Sequence, residues 1–236
     1  MTMLLPGLLF FMSVAVVNVD TEPFYDDSRH AGFASGLKVK NFEGSMNFSG
    51  WFAESENGYL KLELPREIGY EGGLEIDLES LDWERANLSS GFNRKIHFLN
   101  LFSNSIADHH YEDGGTDEDA IITLRMGSDR DGNPRYGNTF KVLWASKGAK
   151  RSPGTDYHET LAEISNDYRW PEKVTFRVEW SRRHEHVKIM IEGRTCADLP
   201  WRSQVAPIRF LFLGKSKDFY ALQGVTYKNL RLYQLD

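Results

Sequence analysis

Three carboxylates occupy alternate positions in Glu75-Ile76-Asp77-Leu78-Glu79. On an extended strand successive side chains point to opposite faces, so the three acids share one face while Ile76 and Leu78 share the other. Neighbouring acids then stand about 6.5–7 Å apart along the strand, the outer pair about twice that. Carboxylates grouped in this way are the equipment of general acid–base chemistry. A solvated strand face is written with the same letters, and both readings stay open. A second set of oxygens, Asp129, Asp131 and Asn133 in DRDGN, alternates around Gly132 like the start of a calcium loop. Residues 138–141 supply no bidentate glutamate, and the competing reading is an Asx-rich turn. Asp108, Asp113, Asp117 and Asp119 are further oxygen donors among which the sequence does not choose.

Other reactive groups are poorly placed. His184-Glu185-His186 and His109-His110 lack the i, i+4 spacing that puts two imidazoles on one helix face, so transition-metal chemistry has little support. Cys196 is the one cysteine, with no histidine at a defined spacing and no partner for an internal disulfide. No nucleophile elbow, P-loop or dinucleotide fingerprint occurs, which sets aside acyl transfer and nucleotide chemistry. Of the six tryptophans, Trp144 and Trp180 share parity with the apolar residues of their segments and belong inside. Trp170 and Trp201 lie beside Pro171 and Pro200 in loops and are the candidates for ligand contact.

The elements that must position these residues are strands. Val174, Phe176, Val178 and Trp180 alternate with Thr175, Arg177 and Glu179; Ser181 to His186 form a polar connection; Val187, Ile189 and Ile191 make the return row, and Gly193 supplies the next turn. Before this hairpin the period of two recurs in Met46, Phe48 and Phe52, in Leu60, Leu62 and Leu64, and in Leu74, Ile76 and Leu78. Residues 95–102, KIHFLNLF, are apolar on both parities after Ile96, as in a central strand covered on both sides. Residues 103–119 read as a long polar surface loop, 120–126 and 139–145 as strands, and further strands are expected at 157–164, 207–214 and 224–235. About a dozen strands without a useful helical period predict an all-β, two-sheet antiparallel sandwich.

With 41% hydrophobic residues in 236, the chain can fill one large core, so no second domain is needed. A net charge of −6 without a basic block argues against nucleic acid and anionic membranes as partners. Leu4 to Val17, LLPGLLFFMSVAVV, is too short to cross a bilayer and reads as a signal peptide, with Ser13 and Ala15 as the small pair for cleavage after residue 15. It lacks a positive n-region, so a buried N-terminal strand or an uncleaved anchor are the alternatives. Beyond this export signal no membrane association is expected. The resulting division is a leader at 1–15, an irregular segment at 16–36 and a sandwich domain at 37–236.

The hairpin at 174–194 resembles that of concanavalin A-like and laminin G-like jelly rolls, and the final stretch resembles their closing strand, which returns beside the N-terminal one. The resemblance covers roughly Leu37 to Leu235 and implies a jelly-roll sandwich of the concanavalin A-like type. Within that superfamily, Glu75-x-Asp77-x-Glu79 resembles the signature of laminarinase- and lichenase-type glycosidases. That resemblance implies Glu75 as nucleophile, Glu79 as acid/base and Asp77 as the group that tunes them, at the roughly 5 Å carboxyl spacing of a retaining enzyme. Residues 72–82, GGLEIDLESLD, resemble a strand of non-catalytic laminin G-like modules at least as closely. The sequence therefore predicts a secreted or periplasmic module that binds a polysaccharide, a glycan or an extracellular protein, with structural calcium as its one candidate cofactor. The alternative is a glycoside hydrolase acting through Glu75 and Glu79.

Overall fold

A computed structural model describes residues 22–80, 96–102, 121–127, 139–145, 159–164, 173–200, 207–214, 220–221 and 223–236. In chain order the strands are β1 (Tyr25–Asp26), β2 (Lys38–Phe42), β3 (Gly44–Asn47), β4 (Gly50–Ala53), β5 (Tyr59–Glu63), β6 (Glu71–Glu79), β7 (Ile96–Phe102) and β8 (Ile121–Gly127). They continue with β9 (Thr139–Ala145), β10 (Glu159–Ile164), β11 (Lys173–Ser181), β12 (His186–Ile191), β13 (Arg194–Pro200), β14 (Phe210–Gly214), β15 (Tyr220–Ala221) and β16 (Thr226–Gln234). Two short 3-10 turns, Asp27–Arg29 and Arg66–Ile68, are the helical elements among the described residues. None of the described helices is long and apolar enough to cross a membrane.

The strands form two sheets. The first runs β13-β12-β11-β6-β16-β4-β3, and β1 pairs with the far half of the nine-residue β16. The second runs β10-β9-β8-β7-β14-β5-β2, with β15 beside β7. All pairings are antiparallel except that of the two-residue β15. The fold is an all-β, two-sheet antiparallel sandwich, as the strand periodicity predicts.

The core lies between the sheets. Leu74, Ile76 and Leu78 of β6, Val174, Phe176, Val178 and Trp180 of β11, and Val187 and Ile189 of β12 line one side of it. Leu60 and Leu62 of β5, Leu99 and Leu101 of β7, and Leu211 and Leu213 of β14 line the other. Burial of each such side chain contributes about 1.5–3 kcal/mol, and with no internal disulfide possible this packing carries the fold. Trp180 sits opposite Gly72 in the β11–β6 register, and its indole Nε1 donates to the Ile68 carbonyl at 2.8 Å. A Cβ on Gly72 would come within 2.5 Å of the Ile68 oxygen and 2.9 Å of the indole, so only glycine fits there.

The 174–194 hairpin has the expected register: Trp180 faces Val187 and Phe176 faces Ile191. Gly193, at φ +71°, turns the chain together with Glu192 at φ +51°. β7 lies in the middle of its sheet with Leu99 and Leu101 on the core side and Phe102 buried on the other, as its two-parity apolar pattern implies. The closing strand β16 does lie beside the N-terminal β1. One local expectation fails. Met46, Phe48 and Phe52 do not form one inward row, because a two-residue turn at Phe48-Ser49 folds residues 44–53 into a hairpin. The buried apolar side chains there are Trp51 and Ala53, while Met46, Phe48 and Phe52 are exposed.

Candidate functional site

Glu75, Asp77 and Glu79 do share one face of β6, the face turned away from the core, since Leu74, Ile76 and Leu78 fill the other. β6 is flanked by β11 and β16, and both neighbours present cations and hydroxyls at the matching registers. Arg177 and Arg231 lie on either side of Glu75, Thr175 and Lys228 on either side of Asp77, and Lys173 and Thr226 on either side of Glu79.

All six carboxylate oxygens have a partner. Glu75 Oε1 accepts from Arg231 Nη1 at 2.5 Å, and Glu75 Oε2 is 3.8 Å from Arg177 Nη1. Asp77 Oδ1 accepts from Thr175 Oγ1 at 2.6 Å, while Oδ2 accepts from Asn229 Nδ2 at 2.6 Å and meets Lys173 Nζ at 2.8 Å. Glu79 Oε2 meets Lys228 Nζ at 2.5 Å, and Oε1 lies 3.8 Å from Lys173. The lattice extends outward: Arg231 reaches Asp26 on β1 at 3.4 Å, and Arg177 pairs with Glu179 at 2.7 Å while lying 4.2 Å above the Tyr233 ring.

A β-bulge in β16 makes part of this possible. Between Lys228 and Arg231 the register shifts, and Asn229 takes a left-handed backbone, φ +52°, from which its amide reaches Asp77. Burial alone would push the Asp77 carboxyl up, but donors from Lys173, Thr175 and Asn229 outweigh it and hold Asp77 below the usual carboxylate range. The same pairing raises Lys173. A hydrolytic pair needs one carboxyl kept protonated to act as acid. Here each carboxylate is bridged to a neighbouring strand, which ties β11, β6 and β16 together.

The outer face of the second sheet is chemically different. Phe42, Tyr59, Lys61, Phe210, Phe212, Asn100 and Phe102 come to it from β2, β5, β14 and β7, on the parity opposite to the core leucines. Phe42 and Tyr59 stack with centroids 5.4 Å apart, Tyr59 tilts against Phe212 at 6.2 Å, and Phe102 meets Phe212 edge-on at 5.1 Å. Lys61 Nζ lies 4.9 Å from the Phe210 ring and 5.4 Å from that of Phe212, and Lys40 lies 5.8 Å from Tyr59. Phe102 and Phe212 are buried, Tyr59, Lys61 and Phe210 half-buried, and Phe42 is 46% exposed. Aromatic rings graded from a buried anchor to an open edge, with ammonium groups over them, offer both stacking and polar contact. Sequence reading missed this strip. The signal was present in RFLFLG at 209–214, which is apolar on both parities just as 95–102 is.

Trp180 and Trp51 are wholly buried, in agreement with an interior role for the former. Trp170, Trp201, Asp129, Asp131 and Asn133 lie outside the described residues, as do the leader and the acidic stretch 103–119. Among the described residues no three His, Cys, Asp or Glu side chains gather as a metal site.

No protein-family model matches the sequence, and no curated protein matches it. Solved structures do. The Emp46p carbohydrate recognition domain in its potassium-bound form aligns with a TM-score of 0.53 at 10% identity, over 86% of this chain and 90% of that one. The fold is that of the concanavalin A-like lectin domains. The serotype D botulinum neurotoxin ligand-binding domain, solved with N-acetylneuraminic acid, aligns at a TM-score of 0.52 and 8% identity over 85% of this chain. Trypanosoma rangeli sialidase, solved with 2,3-difluorosialic acid, aligns at 0.51 and 12% identity over the same share. This chain spans 43% of the neurotoxin chain and 28% of the sialidase chain, so the likeness is to one portion of each. At these identities the shared property is the concanavalin A-like sandwich.

Proposed function

We propose that the chain is an exported, non-catalytic glycan-binding module of the concanavalin A-like type, laminin G-like in its β6 strand and its 174–194 hairpin. The observation that carries the non-catalytic part is the pairing of each of Glu75, Asp77 and Glu79 with side chains on β11 or β16. The glycosidase alternative needs two of those carboxyls free in a cleft, and here they brace the middle of a sheet.

The glycan part is supported by the rings of Phe42, Tyr59 and Phe210, which pack beside the buried Phe212, and by neighbours of the same fold that include a carbohydrate recognition domain and a sialic-acid complex. Sugar rings present apolar C–H faces that stack on aromatic rings, and Lys61 and Lys40 stand where ring hydroxyls or carboxylates would lie. Trp170 and Trp201 remain proposed contributors from loops, and Asp129, Asp131 and Asn133 a proposed calcium site. A glycan array followed by calorimetry with and without EDTA tests the proposal. Binding that Tyr59→Ala weakens at least tenfold supports it, while silence against every saccharide removes the lectin reading. Reducing-sugar release from laminarin or lichenan that Glu75→Gln abolishes would restore the hydrolase.

A further inference from the structure

The tip of the β3–β4 hairpin is the triplet Asn47-Phe48-Ser49. Asn-x-Ser with x other than proline is the acceptor pattern for N-linked glycosylation, and it functions where the asparagine is reachable from solvent. Asn47 and Ser49 are exposed, and Phe48 between them is 74% exposed. β3 is the outermost strand of its sheet, so on that side no neighbouring strand crowds the tip among the described residues.

The local geometry also suits the chemistry. Asn47 Oδ1 accepts from the Ser49 backbone N at 2.9 Å, from Ser49 Oγ at 2.9 Å and from Gly50 N at 3.1 Å. The carbonyl side of the amide is thus held against the turn by the serine the pattern requires. Among the described residues Nδ2 donates to none. From these observations we infer that Asn47 is an N-glycosylation acceptor, an inference that rests on the export reading above. In the transfer, Nδ2 forms a bond to the anomeric carbon of an oligosaccharide carried on a polyprenyl pyrophosphate. The bond from that carbon to the pyrophosphate oxygen breaks, the lipid pyrophosphate departs with the electron pair, and one amide proton goes to a base.

The position gives the modification a physical role. Met46 on the edge strand and Phe48 in the turn, on either side of the acceptor, are 43% and 74% exposed. Exposed apolar edges invite pairing with another chain, and a hydrated glycan rooted between these two residues would shield them. Asn87-Leu88-Ser89 is a second such triplet, outside the described residues.

The test is translation of the full chain with endoplasmic-reticulum microsomes, once with its own leader and once behind a proven secretory leader. Leader removal and peptide-N-glycosidase-sensitive mass steps are read separately. Asn47→Asp, which keeps Oδ1 for the turn and removes the amide nitrogen, and Ser49→Ala should each delete one glycan step, whereas Ser49→Thr and Asn87→Gln should keep the Asn47 step. Glycan addition behind the substituted leader alone supports the acceptor site while refuting the native export reading. If Asn47→Asp carries the same number of glycans as the wild type behind the proven leader, the inference is overturned.

Discussion

Replacing Asp77 tests whether the β6 carboxylates serve structure or catalysis. The residue is 8% exposed and accepts from Thr175, Asn229 and Lys173, so Asp77→Ala strands three donors around a small cavity. Lys173 is 51% exposed and its pairing is worth at most about 1 kcal/mol. The Thr175 and Asn229 bonds to a largely buried charge dominate, at about 1.5–3 kcal/mol each before relaxation. Because the donors re-solvate in part, the expected net loss is about 3 kcal/mol, and about 1–2 kcal/mol for Asp77→Asn, which keeps the volume and removes the charge. For a domain of this size about 3 kcal/mol lowers Tm by about 6–12 °C. Denaturant melts at pH 7 measure the difference directly. The folded-state value of Asp77 is depressed, so its stabilisation is present above the ordinary carboxylate value near ~4 and is lost as pH falls through the lower folded value. Wild type and Asp77→Asn should therefore converge in acid, at the low end of that range. An Asp77→Asn protein as stable as wild type at pH 7, or a stability gap that does not shrink in acid, refutes the lattice argument.

Three further outcomes are expected. Gly72→Ala should cost about 2–4 kcal/mol, because its Cβ meets the Ile68 carbonyl and the Trp180 indole in a close-packed core; equilibrium unfolding measures the loss. Tyr59→Ala and Phe42→Ser should each weaken glycan binding at least tenfold in calorimetry while Phe42→Ser shifts Tm by no more than about 2 °C, since Phe42 sits at the exposed end of the strip. If the 129–133 loop holds calcium, the ion at ~100 Kd should add about 2.7 kcal/mol of stability, and Asp129→Ala with Asp131→Ala should abolish that gain; an unmoved wild-type midpoint in millimolar calcium strikes the site out.

Much of this architecture is legible in the sequence by itself. Alternation of Val174 to Trp180, the return row Val187 to Ile191 and Gly193 after it are local patterns, and a period of two with a turn residue determines strand, face and register without distant information. The same period places Glu75, Asp77 and Glu79 on one face. What those acids do is decided elsewhere in the chain: Thr175 is 98 residues from Asp77, Asn229 is 152, and Arg231 is 156 from Glu75. No spacing rule near Glu75 records that β11 and β16 will flank β6, and no propensity announces the bulge that aims Asn229. The hairpin at 44–53 went unread for a related reason, since apolar alternation in Met46, Phe48 and Phe52 competes with the Asn47 turn cap, and hydrogen bonds from Ser49 and Gly50 settle the outcome. The aromatic strip likewise exists only after β2, β5, β14 and β7 are laid side by side. Periodicity is a local property of the backbone, whereas neutralisation of a charge or assembly of an aromatic strip depends on which distant strands tertiary packing makes neighbours.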